Sequence, residues 1–148
     1  MNITIMSRSD CIRYCHKEHD NETIIISISD PYMVYSSKPE RTRKNKVVSI
    51  LSLEFCDADE PGLDVYGRET SVSDLMSDAD AKWVAAFVKG HPDTDIIVHC
   101  DAGISRSAGV AAAIMKWATD DDSPIFKSYR YHPNMWAYRK MLNALMEE

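Results

Sequence analysis

Nine consecutive residues, His99-Cys100-Asp101-Ala102-Gly103-Ile104-Ser105-Arg106-Ser107, bring a thiol, a guanidinium and a hydroxyl into one short segment. A thiol near positive charge is a nucleophile, because the thiolate is the reactive form and the charge favours it. The guanidinium suits an anion with several oxygens, since its planar fork makes two parallel hydrogen bonds that the point charge of a lysine does not copy. The segment follows the apolar run Ile96-Ile97-Val98 and leads into the small residues Ala108 to Ala113. It reads as strand, tight loop, helix N-terminus. Backbone N–H groups of such a loop and first helical turn lack intrahelical partners and converge, which makes an anion site. Gly103 permits the turn.

The chemistry this predicts is displacement at phosphorus. Cys100 attacks in line, while Arg106 and the backbone of Asp101, Ala102, Gly103, Ile104 and Ser105 hold the phosphoryl oxygens, leaving a phosphocysteine. Ser107 is placed to donate its hydroxyl to the sulfur and ease its departure when water attacks. His99 is expected to orient the loop rather than transfer protons. Expelling an alkoxide or phenolate also needs a carboxylic acid from a second segment, worth about 10²- to 10⁴-fold in rate. The acidic stretch after Phe55 offers Asp57, Asp59, Glu60 and Asp64.

The segment resembles the signature His-Cys-x-x-Gly-x-x-Arg-Ser/Thr of the protein tyrosine and dual-specificity phosphatase superfamily, and agrees with it at every fixed position. The chain's length is similar to that of the compact dual-specificity type. The resemblance implies a protein tyrosine phosphatase-like fold and a phosphoric monoester hydrolase acting on phosphorylated protein, with no cofactor and no metal. It also implies that the acid lies just beyond the strand preceding the helix that leads to the cysteine strand. Phe55-Cys56-Asp57 has that placement, so Asp57 is the expected acid and Asp59 the alternative.

The loop carries no lysine and adds a carboxylate, Asp101, so polyanions such as inositol phospholipids and RNA 5′-triphosphates are expected to bind poorly. The Lys-Asn-Arg-Tyr element of larger tyrosine phosphatases is absent, which leaves phosphotyrosine-only and dual specificity both open. Two other classes compete. One is a non-catalytic module that keeps the fold and binds phosphoproteins; the other is a sulfurtransferase or arsenate reductase. The low-molecular-weight phosphatases and reductases carry such a loop near the N-terminus, whereas here it lies two-thirds along the chain.

Short β-branched runs at Ile3 to Met6, Thr23 to Ile28, Val47 to Phe55 and Ile96 to Val98 read as strands mostly buried on both faces. Helices are predicted over Asp78 to Lys89, with Ala79, Trp83, Ala86 and Phe87 as the apolar face, just after Cys100, and from Pro133 to Met146, with Met135, Tyr138, Leu142 and Leu145 inward. Ser77 caps the first, which Gly90 and Pro92 end. Alternation of strand and helix predicts an α/β single domain over 1–148, a central mostly parallel sheet of four to five strands flanked by helices. Asp57 to Ser77 has no clear period and reads as a long loop.

With 148 residues, 45% of them hydrophobic, the chain can bury one core. A net charge of −6 argues against nucleic-acid or anionic-membrane partners. No run approaches the length of a membrane span and the N-terminus lacks the apolar core of a secretory signal, so a cytoplasmic monomer with reduced cysteines is expected. Cys11, Cys15, His16 and His19 cluster in sequence, but their spacing matches no common zinc pattern. A helix with partly buried cysteines is the expectation there. Cys56 is read as a buried cysteine, with a protective disulfide to Cys100 as its functional alternative. The basic run Arg41, Arg43, Lys44 and Lys46 could steer a phosphorylated substrate, or be a solvated loop.

Overall fold

Ile24, Ile26 and Ile28 alternate with Ile25 and Ser27 along β2 (Thr23–Ser29), and this period of two assigns each side chain to one face of a sheet. The structure is a computed structural model and describes residues 1–147. Four strands, β1 (Ile3–Ser7), β2, β3 (Val47–Glu54) and the later cysteine strand (Asp95–Cys100), pair in the order β1, cysteine strand, β2, β3, parallel throughout. The two central strands are buried on both faces, as predicted. The edge strands β1 and β3 are only partly covered, because each has a neighbour on one side alone.

One face carries Ile25, Ile97 and Val47 beneath α1 (Arg8–Cys15), which contributes Cys11 and Cys15 to the same apolar cluster. Both cysteines are buried. His19 is stacked on Tyr14 at 3.6 Å between ring centroids, with Nε2 2.8 Å from the Tyr14 carbonyl oxygen. Among the described residues no group of His, Cys, Asp and Glu is placed to hold a metal ion.

The other face carries Ile24, Ile26, Ile28, Ile96 and Val98 under three helices: α2 (Asp78–Lys89), α3 (Arg106–Thr119) and the helix Met135–Met146. Each fully buried isoleucine contributes about 1.5 to 3 kcal/mol of transfer free energy. Ser77 caps α2 in a capping box with Asp80, and Gly90 ends it. The inward face of α2 is Ala81, Val84, Ala85 and Val88, which corrects the face drawn through Ala79, Trp83, Ala86 and Phe87. Trp83 is 61% exposed. Both sets have helical spacing, and close packing against the neighbouring helix takes the smaller side chains. The last helix likewise buries Ala137, Met141, Ala144 and Leu145, leaving Met135, Tyr138 and Leu142 half-buried at its flanks.

Between β3 and α2 the expected structureless loop contains a small antiparallel hairpin, β4 (Gly62–Leu63) with β5 (Glu69–Thr70), and a 3₁₀ turn, Val72–Asp74. The cysteine strand is therefore β6. The short α4 (Ser123–Phe126) follows α3, and the last helix is α5. Arg68 pins the hairpin by donating to Asp64 at 2.8 Å and by a two-pronged ion pair to the buried Asp30 at the end of β2.

Parallel strands put all their C-terminal ends together, with Cys100 at one of them. The basic run lies at the other end: Arg41 donates to the Val47 carbonyl, and the Lys46 carbonyl accepts from the Thr23 N–H, where β3 and β2 begin. Steering toward the cysteine is thereby corrected to a solvated loop at the far pole; Lys44 pairs there with Glu18. Asn2 and Glu147 share that pole, with the Asn2 N–H on Asp95 and the Lys89 ammonium on the Glu147 carbonyl. No helix among the described residues is long and apolar enough to cross a membrane.

Candidate active site

β6 delivers Cys100 and α3 begins at Arg106, so the connecting residues must reverse direction within a few peptide units. Gly103 makes the reversal with φ of 71°, and it is pressed so closely on β1 that a Cβ would lie 2.6 Å from the Ser7 nitrogen. Carbonyls of the loop are held from outside: Asp101 accepts from the Arg8 N–H, Ile104 from His132, and Ser105 from Asn134 and Gly109. Among the described residues, the N–H groups of Asp101, Ala102, Gly103, Ile104 and Ser105 donate to no protein acceptor. Unpaired N–H groups in a loop just ahead of a helix N-terminus are the chemistry that suits an anion.

Arg106 is 2% exposed and donates through Nη1 to the Phe55 carbonyl at 2.9 Å. Its charge is balanced by Asp101 at 3.6 Å from Nη2 and Asp30 at 3.9 Å from Nη1. Nε is buried with no partner. A buried guanidinium N–H left unpaired is costly in a finished core. Burial alone would raise the Asp30 carboxyl, but hydrogen bonds from Arg68 and the Tyr32 N–H, with the fields of Arg68 and Arg106, hold it below the usual carboxylate range. Asp101 is held in turn by Arg8 and by the Tyr35 hydroxyl at 2.8 Å, while the Arg8 guanidinium lies over the Tyr35 ring.

Cys100 Sγ lies 3.0 Å from the Ser107 hydroxyl, both buried. His99 points to the opposite face of β6. Its Nδ1 is 3.1 Å from the Cys100 carbonyl oxygen, which can only accept, so Nδ1 carries the hydrogen, and the Ser27 hydroxyl donates to Nε2 at 2.6 Å. Burial pushes the imidazole down to about 4, which keeps it neutral. A ring so held anchors the Cys100 carbonyl from the face opposite the Cys100 side chain.

Asp57 and Asp59 both line the cleft of about 770 Å³ that holds Cys100 and Arg106. Asp57 is buried, and its Oδ1 accepts from the Ser105 hydroxyl at 2.7 Å and the Asn134 amide at 2.8 Å. Asp59 is exposed and occupied in capping α5, accepting from the Met135 N–H at 2.8 Å. Asp64 is taken by Arg68, and Glu60 is outside the lining. Cys56 sits in a separate apolar cluster with Ala58 and Leu75, and burial pushes its thiol up. Val65, Tyr66, Phe126 and Tyr131 form apolar walls, and Arg106 is the only lysine or arginine of the lining among the described residues.

Asn134, Asp30, Arg68 and Tyr35 escaped sequence reasoning. An asparagine ahead of an apolar helical run does signal a cap, and Asn134 caps α5 by accepting from the Ala137 N–H. Its second role, on Asp57, spans 77 residues and leaves no local trace.

No protein-family model matches the chain, and no curated protein matches it. Solved structures do. A human tyrosine phosphatase-like serine/threonine/tyrosine-interacting protein superposes with a TM-score of 0.62 at 17% identity, over 96% of this chain and 89% of that one. Tk-PTP in its active form superposes with 0.53 at 12% identity, over 97% and 88%. PTPMT1 in complex with PI(5)P gives 0.54 at 12% identity, over 96% and 88%. From the parallel sheet to the loop ahead of α3, this chain has the protein tyrosine phosphatase-like fold.

Proposed function

We propose that the chain is a cysteine-dependent phosphatase that hydrolyses phosphate monoesters on protein side chains, phosphotyrosine alone or with phosphoserine and phosphothreonine. The observation that carries this reading is the unpartnered Arg106 Nε beside loop N–H groups that meet no protein acceptor among the described residues, in the cleft that Cys100 lines. Cys100 sulfur forms a bond to phosphorus as the bond to the ester oxygen breaks, and Asp57 gives that oxygen its proton. Water then attacks the phosphocysteine; Asp57 takes a proton from it, the S–P bond breaks, and the Ser107 hydroxyl receives the departing thiolate. Asp57 is favoured over Asp59 because Asp59 is committed to α5. A single guanidinium in the cleft supports one phosphate per ligand rather than a polyanion.

Turnover of an aryl phosphate, inhibited by vanadate and abolished in Cys100→Ser, is the expected result. A non-catalytic phosphoprotein-binding module is the second reading, favoured by the likeness to a protein named as phosphatase-like and interacting. Tight phosphopeptide binding by the wild-type chain without turnover would establish it instead. Faster turnover of an inositol phospholipid than of phosphopeptides would move the substrate to the class seen bound to PTPMT1.

A further inference from the structure

Asp57 has two carboxylate oxygens in unlike surroundings. Oδ1 accepts from two fixed donors on different elements, Ser105 in the anion loop and Asn134 at the start of α5. Asn134 is 1% exposed and fully committed: its amide also donates to the Ala58 carbonyl at 3.2 Å, its side-chain oxygen accepts from Ala137, and its own N–H donates to Ser105. No protein donor reaches Oδ2 among the described residues.

We infer that Ser105 and Asn134 are positioning residues for the proton transfer assigned above to Asp57, and that they designate Oδ2 as the oxygen that carries the proton. This rests on the reading of Asp57 as the acid. A protonated carboxyl donates through one oxygen only, and an oxygen already accepting two hydrogen bonds is the poorer site for the proton. The pair therefore removes the ambiguity between the two oxygens and fixes the plane of the carboxyl. Because Ser105 adjoins Arg106, the acid is registered directly against the loop that grips the phosphate. No such link holds Asp59. Orientation of this kind is worth much in rate, since a misplacement of about 1 Å can cost on the order of 10²-fold.

The test uses leaving-group dependence. Ser105→Ala removes one donor; Asn134→Ser removes the amide donor while keeping an oxygen able to cap α5. Both should lower kcat/KM for phenyl phosphate by ~10-fold and for the activated p-nitrophenyl phosphate by under ~3-fold, since only the poor leaving group depends on the acid. Ser105→Thr, which keeps the hydroxyl, should restore the phenyl ester. In an Asp57→Asn background, Ser105→Ala should have no further effect on the ratio of the two esters. Equal losses on both esters, or a ratio that still changes without Asp57, would overturn the inference. If Asp57→Asn itself leaves the ratio at the wild-type value, the acid has been misassigned, which is a separate failure.

Discussion

Ser107, in the first turn of α3, holds its hydroxyl 3.0 Å from the sulfur of Cys100 at the end of β6. Ser107→Ala should therefore slow the second half-reaction more than the first. Stopped-flow release of p-nitrophenol should show a burst approaching one equivalent per enzyme followed by a slow steady state, whereas the wild-type trace stays linear. A lowered rate without a burst would place the hydroxyl's effect on the attack instead.

Arg106→Lys keeps the charge but loses the fork that contacts Phe55 and leaves Nε free. Turnover of an aryl phosphate, as kcat/KM, should fall by ~10²- to 10³-fold, the usual loss for an oxyanion donor. Circular dichroism of the variant should stay native.

His99 predicts how stability depends on pH. Its imidazole is held at about 4 by burial, against about 6.5 for an ordinary histidine, so the unfolded chain takes up the proton first as the medium acidifies. The sign follows: stability is fully present above pH 6.5 and is lost as pH falls from there to about 4, by about 3 kcal/mol in all. His99→Asn, which can still donate to the Cys100 carbonyl, should flatten urea-unfolding free energies across that window. The depressed carboxyls of Asp30 and Asp64 act below it.

Arg68 and Asp30 are coupled through burial. Arg68→Leu leaves the Asp30 carboxylate in the interior without its principal partner, and breaking one side of a buried pair is worse than removing both. Tm should drop in the single variant and partly recover in Arg68→Leu with Asp30→Asn.

Gly109 meets Asn134 where α3 packs against α5; a Cβ there would lie 2.4 Å from the Asn134 carbonyl oxygen. Gly109→Ala should cost about 1 to 3 kcal/mol in urea unfolding, as overpacking does. Since Asn134 also holds Asp57, the phenyl ester should suffer more than the activated one.

What could be read in advance was local. The segment from His99 to Ser107 is nine contiguous residues, and a strand, a glycine and a run of small residues around it suffice to predict its shape. Asp57 was singled out through the resemblance, which puts the acid just beyond a strand that the apolar pattern marks, and β3 ends three residues before it, at Glu54. Asp30 and Arg68 were not, since 38 residues separate them and neither belongs to a motif. The face of α2 was misjudged because Trp83 outweighs Ala81 and Ala85 in hydrophobicity, while the space available beside α5 favours small side chains. The hairpin inside the acidic stretch has strands of two residues, too short for any period to register.

Asn2 and Glu147 lie at the pole where the strands begin, and the cleft lies where they finish. A copy moored to a bead through that pole would keep its cleft pointing outward into solution. Any molecule that reaches the cleft would then do so without having to pass the support.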